Sequence, residues 1–78
     1  MPTVLRIGPY RFFFYSSDRE EPVHIHVERE RMIAKFWVLP VRLQESGGFG
    51  RAELLRIQRL VLDNSALFVE AWNDYFNG

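Results

Sequence analysis

Residues 22–28 read Pro-Val-His-Ile-His-Val-Glu and set both histidines of the chain two positions apart in an otherwise apolar run. In an extended segment side chains alternate between faces, so His24, His26 and Glu28 share one face while Val23, Ile25 and Val27 share the other. Three chemistries suit such a row. Two imidazoles and the Glu28 carboxylate are the beginning of a metal site, although zinc generally needs at least three protein ligands with fixed supporting partners. Histidines near neutral pH also serve as general acid and base, and with Lys35 stabilising developing charge they could cleave an RNA phosphodiester. The same row could instead contact a partner protein. Against all three stands a plain reading: ordinary histidines on a half-solvated strand, supported by their cross-strand neighbours.

The elements that position this row alternate in the same way. Val4–Ile7 is a short strand candidate, Gly8-Pro9 interrupts it, and Tyr10–Ser16 resumes as a second strand. There Phe12 and Phe14 fall on one face, with Arg11, Phe13 and Tyr15 on the other. Residues 17–22, Ser-Asp-Arg-Glu-Glu-Pro, form a polar loop. Val23–Glu28 is the third strand, 29–31 a charged turn, and Met32–Val38 the fourth strand. Links this short make antiparallel neighbours. Ala34, Phe36 and Val38 then line one face with the valines and Ile25, and Lys35 and Trp37 meet the histidines on the opposite face. Arg11, Phe13, Tyr15, Glu28 and Trp37 are accordingly the expected binding residues there. His24, His26 and Lys35 are the expected catalytic ones. A nearby ammonium opposes a cation, so no metal is expected in the row.

Pro40 cannot donate to a ladder and closes the fourth strand. The segment 40–50, with Gly47-Gly48 inside it, reads as a loop and as the likeliest mobile stretch. From Arg51 the period changes to that of a helix, with Leu54, Ile57, Val61, Phe68 and Trp72 in one stripe. That stripe reads as core. Asp63-Asn64-Ser65 interrupts the run without shifting its phase, so one kinked helix and two helices are equally tenable. Arg51, Arg56 and Arg59 make a solvated basic side, and Gly50 with Glu53 is a weak half of a capping box. The expected fold is therefore α+β: an antiparallel sheet of three to four strands, packed on one face by a C-terminal helix or kinked helix pair. One domain spans 1–78, with a strand half over about 3–39 and a helical half over 51–76.

The bulk numbers set limits. Seventy-eight residues lie near the lower bound for a chain that folds alone, yet seven Phe, three Tyr and two Trp permit a real core. Without cysteine there is no disulfide framework and no thiolate metal site. Ten basic and ten acidic residues give no net charge, which argues against a protein that coats nucleic acid through bulk electrostatics. No apolar run approaches the roughly 20 residues of a membrane helix, and the N-terminal stretch lacks the layout of a secretory signal. A cytoplasmic location and no membrane contact are expected. There is no P-loop, dinucleotide fingerprint or recognisable triad spacing, and no cofactor is expected.

Several stretches together, MPTVLRIGPYRFFFYSSD, EPVHIHVERE, AKFWVLPVRLQESGGF, RAELLRIQRLVLDN and EAWNDYF, resemble the small bacterial proteins of domain-of-unknown-function family 4160. HIHVE and AKFW are the most specific parts. Gly50 departs from the pattern, in which a serine precedes the RAEL helix start. The resemblance implies a gene beside that of another small protein, in a toxin–antitoxin-type pair. The expected function is thus a small partner-binding protein that meets a cognate small protein or its own copy through the face around His24, His26, Lys35 and Trp37. The rival readings are an RNA-cleaving toxin using those residues and a metal-binding domain through His24, His26 and Glu28.

Overall fold

Alternating apolar residues, three of whose four links have two residues, favour a meander, and the computed structural model, which describes residues 3–77, builds one. Strands β1 (Thr3–Ile7), β2 (Tyr10–Phe13), β3 (His24–Arg29), β4 (Met32–Val38) and β5 (Val41–Glu45) form one antiparallel sheet in the order β1-β2-β3-β4-β5. A 3₁₀ turn, Ser16–Glu20, links β2 to β3, and helices α1 (Arg51–Asp63) and α2 (Ser65–Asn77) follow the sheet. No helix among the described residues is long and apolar enough to cross a membrane.

The sheet has five strands, where three to four were expected. The additional one is β5, in a segment that reads as a loop. Leu39 and Pro40 occupy the two-residue link, where proline needs no ladder hydrogen bond. Val41 therefore pairs with Val38, Arg42 with Trp37 and Leu43 with Phe36. Proline closes β4 as expected but leaves the next strand free to turn back. β2 is shorter than Tyr10–Ser16, because the chain leaves the ladder after Phe13 and enters the 3₁₀ turn at Ser16.

Packing follows alternation. Phe12, Phe14, Ile25, Val27, Ala34, Phe36 and Val38 are buried beneath Ile57 and Val61 of α1 and Phe68 and Trp72 of α2. Phe12 stacks on Phe68 with centroids 5.3 Å apart. The helical stripe runs unbroken through the kink at Asn64, whose backbone N–H donates to the Leu60 carbonyl at 3.1 Å and whose side-chain amide donates to it at 2.8 Å. Glu53 does not complete a capping box. It accepts from Tyr10 Oη (2.8 Å) and from Arg29 Nε and Nη2 (2.7 and 2.9 Å), tying the start of α1 to β2 and β3.

The segment after β5 is anchored. Phe49 is buried, and Gly47, at φ 62°, lies so close to β4 that a Cβ there would overlap the Ile33 carbonyl. Gly47→Ala should lower unfolding stability by about 2 kcal/mol or more in urea titration, through the left-handed backbone and the overlap together. Gly50 has extended φ and open space around its Cα, so Gly50→Ser should instead raise stability by a few tenths of a kcal/mol, by capping α1.

Candidate functional site

Cross-strand register decides which side chains meet. β3 pairs with β4 so that His24 lies opposite Trp37, His26 opposite Lys35 and Glu28 opposite Ile33. β2 pairs with β3 so that Phe13 lies opposite His26 and Arg11 opposite Glu28. The sheet thus brings His24, His26, Glu28, Lys35, Trp37, Arg11 and Phe13 onto the face away from the helices. Tyr15 joins them edge-on to His26 (4.8 Å between centroids) and to Phe13 (5.2 Å).

That face is not open. His24 is 1% exposed, His26 9% and Phe13 0%, because the 3₁₀ turn folds over them and Trp72 of α2 closes the end of the row 5.0 Å from His24. Neither imidazole is within reach of an RNA substrate in this conformation. The other expected contact residues are satisfied internally. Arg11 pairs with Glu28 at 2.8 Å and lies 4.1 Å above the Phe13 ring. Lys35 bonds Glu21 and lies 4.8 Å from the Trp37 ring, and Trp37 Nε1 donates to Gln44 at 2.9 Å.

The residue that organises the row is one the sequence reading left in a polar loop. Asp18, in the 3₁₀ turn, is buried and points one oxygen, Oδ2, at three nitrogens. The Tyr15 backbone N–H donates to it at 2.8 Å, His26 Nε2 lies 3.2 Å away, and His24 Nε2 lies 3.0 Å away. His24 Nδ1 donates to the Pro22 carbonyl at 2.9 Å, which puts the ring proton on Nδ1. Its Nε2 forms no directed hydrogen bond and is the buried side-chain nitrogen left without a partner among the described residues. One signal in the sequence could have revealed Asp18: an acidic residue three positions past the end of an aromatic run, placed to reach back to a backbone N–H as turn-capping carboxylates do. The three-residue group that could hold a cation is accordingly Asp18, His24 and His26. Glu28 is not part of it. Its carboxylate is engaged by Arg11, one pair further along the ladder.

Electrostatics follow from this burial. Desolvation, helped by the neighbouring His24 and Lys35, holds the His26 imidazole below its ordinary value, with Asp18 opposing. Burial pushes the Asp18 carboxyl up, but the Tyr15 N–H and the two imidazoles outweigh it and hold the group below the usual carboxylate value. Near neutral pH the row thus contains an ionised carboxylate and an uncharged His26.

The chain belongs to the family described as Domain of unknown function (DUF4160), whose family model matches residues 10–73. That span includes Asp18, His24, His26 and the whole of α1. No curated protein and no solved structure matches the chain.

Two outcomes test the site. Asp18→Ala leaves His26 and the Tyr15 N–H without their acceptor, and should lower stability by about 1–3 kcal/mol in urea titration. His26 has a folded value below the ordinary imidazole value of about 6.5, so the unfolded chain binds more protons in that window. Stability in chelator-containing buffer should be full above about pH 6.5 and fall as pH drops through the folded value. Asp18→Asn should move the His26 titration further down, read by NMR, because Asp18 is the group that opposes burial.

Proposed function

We propose that this member of the DUF4160 family is a cytoplasmic bacterial partner-binding protein, one component of a toxin–antitoxin-type pair, which docks its cognate small protein on the outward side of α1. The observation that carries this is the exposure of Leu55 and Leu62, 60% and 48%. Seven positions apart, they lie on one side of the helix, about opposite Ile57 in the core. Scattered exposed leucines need no explanation, but a pair aligned on one side of a helix forms the kind of stripe that a groove or a second helix buries.

Charge adds to the stripe. Arg59 lies between the two leucines and bridges Asp63 at 3.3 Å, and Arg51 and Arg56 are exposed beside it. Glu53, the acid of the first turn, is turned inward to Arg29 and Tyr10. Arg51 and Arg56 have no ion-pair partner among the described residues. The complementary surface is therefore apolar with an acidic rim, and such complementarity speeds encounter and rejects like-charged partners. The sheet edges offer less. β1 and β5 carry exposed Arg6, Arg42 and Glu45, charges of the type that discourage strand addition.

Co-expression with the product of the adjacent gene should yield a co-purifying complex. Leu55→Glu with Leu62→Glu should weaken it at least tenfold in calorimetry, with the unfolding midpoint of the free chain essentially unchanged. A complex of wild-type affinity with the double variant, or no complex at all, would sink this reading. If the double variant abolishes a homodimer in sedimentation instead, the occupant of the stripe is a second copy.

A further inference from the structure

We infer that Asp18, His24 and His26 form a binding site for a divalent first-row transition metal ion, zinc above all. The inference stands independently of the α1 docking face. Its first support is the orphaned nitrogen. With the ring proton of His24 committed to the Pro22 carbonyl, Nε2 presents a lone pair to Asp18 Oδ2 at 3.0 Å, inside a ring that is 1% exposed. Two electron-rich atoms held this close in a desolvated place repel each other. A cation between them converts the same geometry into two bonds.

The second support is the shape of the donor set. Ligands at about 2.0–2.1 Å from a tetrahedral zinc lie roughly 3.3 Å from one another. Asp18 Oδ2 lies 3.0 Å from His24 Nε2 and 3.2 Å from His26 Nε2, and one ligand atom of each residue falls within 4.8 Å of the others. Two imidazoles and one carboxylate, with no thiolate, suit zinc and its first-row neighbours rather than calcium or magnesium. Three protein ligands leave a fourth position for water, as in open zinc sites.

The third support is the surrounding shell. Metal-bound histidines characteristically donate the other ring N–H to a carbonyl or carboxylate, and His24 Nδ1 does so to Pro22. The Tyr15 N–H fixes the Asp18 carboxylate in the same manner. The one ammonium on this row, Lys35, is paired with Glu21, which offsets part of its repulsion of an ion. The turn that supplies Asp18 is the element a bound ion would clamp onto β3.

The test is titration of chelator-stripped, full-length protein with Zn²⁺ by calorimetry and with Co²⁺ by visible absorption. The expected result is uptake of one ion per chain, Co²⁺ bands of tetrahedral type, and a rise of about 15 °C in the unfolding midpoint at a hundredfold excess of Zn²⁺ over its dissociation constant, reversed by chelator. Asp18→Asn and His26→Gln should reduce uptake at least tenfold, whereas Glu28→Gln, which alters the carboxylate held by Arg11, should bind as wild type. Folded wild-type protein that takes up neither ion overturns the site, whether or not the variants fold. So does uptake lost in Glu28→Gln and kept in Asp18→Asn.

Discussion

One carboxylate oxygen, Asp18 Oδ2, decides what the second face of this sheet can be. Helices cover one face, and the described residues supply no second helical layer for the other. Leaving Phe13, Tyr15, the two histidines and Trp37 in water would create a sticky aromatic surface. Burying Phe13 and the two histidines, with Tyr15 and Trp37 half-buried beside them, puts imidazole nitrogens out of reach of water, and each then needs a partner. A five-residue 3₁₀ turn meets that need for His26, though not for His24 Nε2, because it carries an acceptor into the centre of the row, fixed by the Tyr15 N–H at 2.8 Å. The turn is too short to form a layer by itself. Its hold on the sheet comes from that oxygen and from Tyr15 at its start, which lies edge-on to His26.

Closing this face moves the available contact surface elsewhere. The cationic and aromatic residues that looked like anchors are engaged with each other: Arg11 with Glu28 and Phe13, Lys35 with Glu21 and Trp37. Among the described residues the outward side of α1 stays open, and there Leu55 and Leu62 stand exposed among Arg51, Arg56 and Arg59. The proposed docking face and the histidine row are thereby separated in space. A substitution in one can be read without confounding the other.

Alternation made much of this legible before any coordinates. Placing His24, His26, Lys35 and Trp37 together needed only the period of two and an antiparallel turn, expected at 29–31 and found at 30–31. The helical stripe was equally readable, since its phase survives Asn64. Three features were not legible, each for a physical reason. β5 follows a proline, and sequence alone does not show whether a proline ends the sheet or only turns it. Burial of the histidines depends on a segment whose composition, Ser-Ser-Asp-Arg-Glu, is that of any solvated loop. Glu53 read as a local helix acid, but its partners Arg29 and Tyr10 lie 24 and 43 positions away, and no local pattern reports them.

β3 joins the turn, the core and α1. It is the middle strand of five, and its even-numbered residues His24, His26 and Glu28 face the 3₁₀ turn while Ile25, Val27 and Arg29 face the helices. Six residues therefore supply the clasp to Asp18 on one side, two core side chains on the other, and the Arg29–Glu53 tie that seats α1. Because the side-chain period is two, a slip of one residue in β3 would exchange all of these at once, placing imidazoles in the core and isoleucine under the turn. The polar pairs at both ends of the strand make that slip costly in a way that hydrophobic packing alone would not. The row Asp18, His24 and His26 thus specifies register as well as holding the turn, and a ligand gripping those three atoms would strengthen both.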